Sequence, residues 1–293
     1  MNPNTIETLI QSLPRNRTIE TAIPGLFLYC ADKPNKSVSY IQEPSICIVL
    51  KGEREIYLGT DCQRFDNSNL MFCPVNIPLS MHIKHASIAA PVIVLSMKIN
   101  LFMITEVLAQ IPPTTPVNSG QLGIKWQLDE TVMQAFERLL HLLNYPNDIS
   151  FNDVGFNDIG FLASLIQQEI YYRLLLAEQG NKLRQLVISG SHTQRIAQAT
   201  AWIRSHLDES MIVEELASMC SMSVSGFHQH FKDITQLSPL QYQKSLRLME
   251  ARRLIRRHGL QISQVAQQVG YESPSQFSRE YKRSFGISPS QEL

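Results

Sequence analysis

The chain has 293 residues and a mass of 33.3 kDa, which suits two domains with ordinary cores. Its 26 Lys and Arg balance 26 Asp and Glu, so it lacks the overall positive charge of a protein that coats nucleic acid regardless of sequence. The longest apolar runs, Ser45 to Leu50 and Pro91 to Met97, are strand length and far short of a membrane span.

Glu7 and Arg15 interrupt any apolar stretch at the N-terminus, so no signal peptide is expected. Five cysteines, an odd number without a CxxC pair, suit reduced thiols. Together these features predict a cytoplasmic protein without a membrane partner.

Residues 20 to about 100 read as β structure. Apolar runs at Gly25–Cys30, Ile46–Leu50, Glu55–Leu58, Leu70–Phe72, Ile77–Ile83 and Val92–Met97 alternate with Pro, Gly, Asn and Asp. Closely spaced short strands without intervening helical pattern suggest a sandwich or barrel. From residue 101 the period becomes helical, over Leu101–Ile111, Gln127–Asn144 and Asp158–Gln179. Pro112-Pro113 and Tyr145 to Asp148 separate these helices. In the last of them Leu162, Leu165 or Ile166, Ile170 and Leu174 form an apolar stripe. Ser189-Gly190-Ser191 marks a junction between residues 1–188, with their helical part at 101–188, and residues 189–293. From residue 191 onward there are 12 Lys and Arg against 9 Asp and Glu, so only this part is basic.

That C-terminal part contains one pattern twice. Val213, Leu216, Ala217 and Cys220 recur at i, i+3, i+4, i+7, and Ile262, Val265, Ala266 and Val269 do the same 49 residues later. Ser221-Met222 matches Gly270-Tyr271 at that offset. After one extra residue, Phe227 matches Phe277, Phe231 matches Tyr281, and Ser238-Pro239 matches Ser288-Pro289. A short amphipathic helix, a tight turn and a second helix with buried aromatics and a polar outer face is how a chain presents a helix to the DNA major groove. The two units are expected over about 211–234 and 261–285. A linker helix at 239–258 should stop at Gly259 and carries Arg247, Arg252, Arg253, Arg256 and Arg257. These arginines suit either phosphate contact or solubility.

In the second unit Ser273 caps, Pro274 takes the first helical position, and Phe277 and Tyr281 go inward. At about 100° per residue, Ser275, Arg279 and Lys282 then point away from the core, with Ser278 and Arg283 beside them. In the first unit Ser223 caps, Phe227 and Phe231 go inward, and Ser225, Gln229 and Lys232 face out beside His228. Arg suits bidentate contact with guanine and Gln with adenine, which makes Arg279 and Gln229 the leading base readers. Lys232, Lys282 and Arg283 suit phosphates, which position a protein without carrying sequence information. His228 and His230 lie two apart on different faces without a cysteine partner, so a metal is not expected there.

Ser273 to Arg283 (SPSQFSREYKR) and Phe285 to Pro289 (FGISP) closely resemble the signature of the AraC/XylS transcription regulators. So do Phe227 to Lys232 (FHQHFK), Thr235, Ser238-Pro239 and Leu240 to Lys244 (LQYQK). The resemblance covers about residue 192 to the end. It implies a transcription regulator, activator or repressor, whose two motifs occupy successive major-groove segments of double-stranded operator DNA and which has RNA polymerase as a partner. The residues at the family's base-contacting positions are Ser225, His228, Gln229, Ser275, Gln276, Ser278 and Arg279. Departures are Ser221 where the first turn usually has glycine, Gln229 where arginine is common, and Gln236 where glycine often follows the threonine. Pro44 to Gly59 (PSICIVLKGEREIYLG) is similar to the N-terminal sensor of one AraC subgroup. That implies a cupin-like β-barrel followed by dimerisation helices over roughly 20–185, hence a homodimer and a small-molecule effector. The expected fold class is thus α+β: a cupin-like β-barrel with dimerisation helices, then an all-α domain with two helix-turn-helix motifs joined by a long helix.

Three other functions compete with this reading. A cupin-type enzyme fused to a DNA-binding module needs a His-x-His pair with later Glu and His, whereas only His82 and His85 lie close together. No metal, cofactor or catalytic residue is therefore expected. A DNA-alkylation repair protein would need a four-cysteine zinc cluster and a Pro-Cys-His motif, both absent from this sequence. A thiol-based electrophile or redox sensor would use Cys30, Cys47, Cys62 or Cys73. Cys47 sits in an apolar run and reads as core; Cys62, in a polar turn near Asp61 and Arg64, is the more exposed candidate.

Overall fold

The structure is a computed structural model that describes residues 13–59, 61–112, 124–144, 155–258 and 261–292. Glu7, Pro113, Tyr145 to Asp148 and Gly259, and the side chain of Arg257, lie outside the described residues.

Among the described residues ten strands form two sheets. They are β1 (Thr18–Glu20), β2 (Leu26–Ala31), β3 (Asn35–Gln42), β4 (Ser45–Lys51), β5 (Arg54–Leu58), β6 (Asp61–Phe65), β7 (Asn69–Cys73), β8 (Ile77–Ile83), β9 (Val92–Lys98) and β10 (Lys125–Gln127). One sheet has the order β1-β2-β9-β4-β7-β10, the other β3-β8-β5-β6, and every described ladder is antiparallel. The expected closed barrel does not form, because no described ladder joins the two sheets. The cause lies at β7, which pairs with β4 on one edge and β10 on the other, with Trp126 opposite Leu70. Its hydrogen-bonding groups are thereby used, and β6 is left as an edge strand on β5.

The helices of this half are α1 (Leu101–Gln110), α2 (Glu130–His141), α3 (Gly155–Leu176) and the short α4 (Gly180–Arg184). The helix expected from Gln127 begins three residues later. Gln127 belongs to β10, and the Asp129 carboxylate accepts from the Thr131 N–H at 2.8 Å to cap α2. The six-stranded sheet is buried on both faces, which is why β4 is apolar almost throughout. Ile46, Ile48 and Leu50 face α1 to α3, while Cys47 and Val49 face the second sheet. On α3 the expected stripe splits. Ile170 and Leu174 pack inward, whereas Leu162 and Leu165 stay exposed together with Phe161, Tyr172 and Leu176.

Past Ser191 the described chain is helical: α5 (His192–Ser205), α6 (Val213–Met219), α7 (Val224–Thr235), α8 (Pro239–His258), α9 (Ile262–Gln268) and α10 (Pro274–Phe285). The Ser191 hydroxyl caps α5 by accepting from the Gln194 N–H. The core of α5 to α7 runs without a break into the core between the sheets; Ile196, Phe231, Leu237 and Tyr242 share it with Ile77 and Leu79. The Tyr242 hydroxyl donates to the Asn76 carbonyl at 2.7 Å. Helices α9 and α10 have a separate core with the C-terminal part of α8.

Candidate nucleic-acid interface

Both units are built alike. In the first, the Ser223 hydroxyl accepts from the Gly226 N–H at 3.2 Å and starts α7. Phe227 and Phe231 are fully buried with ring centroids 5.4 Å apart. In the second, Ser273 accepts from the Gln276 N–H at 3.3 Å, and Phe277 and Tyr281 are fully buried 5.5 Å apart. Anchoring two aromatics one turn apart fixes the rotation of each helix, and so fixes which residues face outward.

The outward residues fall where that rotation puts them. Ser225, His228, Gln229 and Lys232 are exposed on α7, and Ser275, Gln276, Arg279, Lys282 and Arg283 are exposed on α10. Ser278 is half-buried, and its hydroxyl donates back to the Pro274 carbonyl at 2.9 Å. The exposed groups differ in how free they are. Among the described residues no carboxylate pairs with Lys232, Arg279, Lys282 or Arg283. Gln229, by contrast, donates to the Asp233 carboxylate at 2.9 Å, one turn along the same helix. His230 turns away from this face and stacks on His192 with ring centroids 3.8 Å apart.

The turns carry the clearest difference between the units. Gly270 has φ +82°, and a Cβ there would lie 2.7 Å from both the Asp208 carbonyl oxygen and the Arg247 guanidinium. Glycine is required by backbone and by space. Ser221 occupies the matching turn at φ +51°, and Gln236 ends α7 at φ +63° where Gly286 ends α10 at φ +78°.

Four of the linker arginines have partners within the chain. Arg247 donates to the Leu207, Glu209 and Gly270 carbonyls at 2.5–2.8 Å and so ties α8 to the turn of the second unit. Arg252 and Arg256 both grip Glu292, and Arg253 pairs with Glu250. Arg247 and Arg252 thus have structural partners, whereas Arg253 and Arg256 remain exposed at the surface and keep both readings open. Burial raises the pKa of Glu292, but the hydrogen bonds from Arg252, Arg256 and Tyr281 outweigh it and hold the carboxyl below its usual range. Glu280 behaves the same way, with burial offset by Lys244, Tyr271 and Gln276. No sequence pattern marked Glu280 or Glu292. Their partners come from elements as far as 40 residues away, beyond any local periodicity.

A profile described as the AraC-type transcriptional regulator N-terminus matches residues 22–182, and a helix-turn-helix domain profile matches residues 216–293. The chain belongs to the AraC-type transcriptional regulators. Among curated relatives, the HTH-type transcriptional activator RhaS of Salmonella paratyphi A is 26% identical over 173 residues, covering 58% of this chain and 57% of RhaS. The chain thus spans just over half the length of the curated relatives it matches. Among solved structures, ToxT from Vibrio cholerae O395 aligns with a TM-score of 0.47 at 12% identity, covering 91% of this chain and 95% of that one. The DNA-binding domain of AdpA, solved in complex with a target DNA, is 32% identical, covers 33% of this chain and 87% of that domain, and has a TM-score of 0.32.

Among the described residues no group of three or more His, Cys, Asp or Glu could hold a metal ion, and no helix is long and apolar enough to cross a membrane. Cys30, Cys47 and Cys73 are buried and Cys62 is exposed, all as free thiols. Burial pushes the Cys73 thiol well above its usual value, which keeps it protonated and unreactive.

Proposed function

We propose that this AraC-type regulator binds operator DNA sequence-specifically through α7 and α10, set in successive major-groove segments by α8. The observation that carries the reading is the pair of outward faces, polar and cationic, on helices whose rotation is fixed by buried aromatics. Base contacts are assigned to Ser225, His228, Gln229, Ser275, Gln276, Ser278 and Arg279, and phosphate contacts to Lys232, Lys282 and Arg283. The 20-residue α8 spans about 30 Å at about 1.5 Å per residue, close to one turn of B-DNA.

Residues 1–188 form an open, cupin-like sensor and dimerisation domain, residues 189–293 the DNA-binding domain, and the protein works in the cytoplasm as an activator contacting RNA polymerase. The exposed apolar stripe of Phe161, Leu165, Tyr172 and Leu176 on α3 is the dimer seam. The sensor acts by binding a small molecule, not by catalysis, and a ligand shifts DNA affinity only through unequal affinity for two states. Competition between the chain's own upstream DNA and random DNA tests the central claim. Preference for the upstream fragment that survives rising salt supports it; equal competition at every salt concentration sinks it.

A further inference from the structure

Strand β5 alternates as a half-buried strand should, with Glu55 and Tyr57 outward and Arg54, Ile56 and Leu58 inward. The inward row therefore includes an arginine. Arg54 is 4% exposed and is the only buried basic side chain of the two sheets among the described residues. Its Nε and Nη2 have no hydrogen-bond partner, its Nη1 reaches the Met81 sulfur at 3.8 Å, and the nearby Tyr40 phenol, itself neutral, interacts with the guanidinium without supplying a negative charge. The neighbouring groups do not neutralise it. Burial pushes the Tyr40 phenol up to about 12 and the Cys73 thiol well up, and the Tyr29 phenol is raised as well, so all three stay uncharged at neutral pH.

A guanidinium buried without an anion or a full set of acceptors is costly, and folding tolerates it where a ligand completes the site. We propose that Arg54 anchors an effector site between the two sheets and that its ligand is a small organic carboxylate. The two idle N–H groups belong to a planar fork, which matches the two oxygens of a carboxylate. A monoanion balances one guanidinium, whereas a phosphate dianion would carry excess charge into an apolar interior. Tyr40 borders Arg54 on one side and on the other forms part of the wall of an open cleft of about 640 Å³ between β3, α5, α8 and α9. Strand β5 also leads directly to the first DNA-binding unit. It ends at Leu58, and a Cβ on Gly59 would lie 3.1 Å from Leu237, in the connection between α7 and α8. An anion drawing on Arg54 pulls on a strand whose far end packs beside the connection that follows α7.

The inference rests on the reading of residues 1–188 as an effector-binding region. Butyrate, octanoate and benzoate, each beside its neutral amide, and inorganic phosphate are titrated into the full chain, read by thermal shift and calorimetry. At least one acid should raise Tm saturably with one site per chain while its amide does not. Arg54→Lys should weaken that acid at least 10-fold and Arg54→Met should abolish its binding. Without ligand, Arg54→Met should melt no lower than the parent chain, since it removes an unpaired buried charge. Acids that act no differently from their amides, acid binding that survives Arg54→Met, or binding of phosphate alone would each overturn the proposal, the first pointing to buried water as the partner of Arg54. The acid and amide comparison needs no variant, so it decides even if the substitutions impair folding. Operator competition on the same preparation separates the two levels. Specific DNA binding without any acid effect sinks only the carboxylate site, and loss of specific DNA binding sinks the regulator reading.

Discussion

The two helix-turn-helix units share one design but are anchored in different ways. The first has no core of its own. Phe227, Phe231 and Tyr242 belong to the same cluster as Val49, Ile77 and Leu79 of the sheets. The second is self-contained, with Val265, Ala266, Phe277 and Tyr281 packed on Leu248, Ala251 and Ile255 of α8, and it is clamped by two carboxylates, Glu280 and Glu292. Packing transmits displacement and long helices transmit orientation, so a change in the sheets reaches the first unit by direct contact and the second through α8. The first unit is thus in direct contact with the sheets, and the second is joined to them through α8.

The largest effect should come from emptying each core in turn. Phe231→Ala and Phe277→Ala each remove a fully buried ring, at a cost of about 3–5 kcal/mol. The costs are similar; what melts should differ. Phe231→Ala should lower the main calorimetric transition, sheets included, while Phe277→Ala should release a separate early transition and leave the sheets' hydrogen-exchange protection intact. If Phe277→Ala lowered the whole transition as a unit, the independence of the second unit would be wrong.

Acid should separate the units next. Glu280 and Glu292 sit below the usual 4.5 in the folded chain, so they contribute stability above that pH and lose it as pH falls through their folded values. His192 is pushed below 6.5, first by burial and then by His230. The unfolded chain takes up that proton more readily, so the first unit should weaken as pH falls below about 6.5. Melting followed from pH 7.5 to 3.5 should show the first unit yielding before the second. In the same comparison Glu292→Gln should cost the second unit about 1–3 kcal/mol at neutral pH, because it leaves the guanidinium of Arg252, 17% exposed, without its charged partner. Simultaneous loss of both units on acidification would count against this order.

Much of this was legible in the sequence, and what was not has physical causes. The duplicated apolar spacing located α6, α7, α9 and α10, because a helix against a small core must repeat every three or four residues. The cap residues Ser223 and Ser273 marked where two of them begin. Strands β3 and β6 were missed because edge strands are half-solvated and polar, and their sequences (NKSVSYIQ and DCQRF) lack an apolar run. The open barrel was hidden for a related reason, since three residues, Lys125 to Gln127, decide whether β7 has a free edge. The local patterns around Arg247 and Glu292 carry no sign of their roles, because their partners are set by tertiary packing. Arg54 was readable in principle: it stands in the inward register of Arg54-Glu55-Ile56-Tyr57-Leu58, where a strand otherwise places apolar side chains.

The reading faces allow a finer contrast. Arg279 is exposed and without a carboxylate partner among the described residues, whereas the Gln229 carboxamide is already held by Asp233. Arg279→Ala should therefore cost about 1–3 kcal/mol of operator affinity and relax preference at one base position. Gln229→Ala should cost less, and Asp233→Ala should strengthen binding slightly by releasing the carboxamide and removing a negative charge from the DNA side. Binding assays against a library randomised one position at a time measure all three. An equal loss on operator and random DNA for Arg279→Ala would make it a phosphate contact.

The smallest effect should come from the turns. Ser221 holds φ +51°, a region in which a Cβ costs about 1–2 kcal/mol, and glycine there relieves that strain while adding about 0.4–1 kcal/mol of unfolded-state entropy. The backbone bonds around it, from the Met222 N–H to the Ala217 carbonyl and from Arg195 to the Ser221 carbonyl, do not involve its side chain and survive the change. Ser221→Gly should thus stabilise the first unit by about 0.5–1 kcal/mol. Gln236→Gly should gain less, although its φ of +63° is as unusual, because the Gln236 carboxamide donates to the Asp233 carbonyl at 2.7 Å and that bond is lost. Chemical denaturation of both variants beside the parent chain measures the difference. If Ser221→Gly proves neutral or destabilising, the serine hydroxyl does something in this turn that its geometry does not reveal, and the first unit's departure from glycine is not a source of strain.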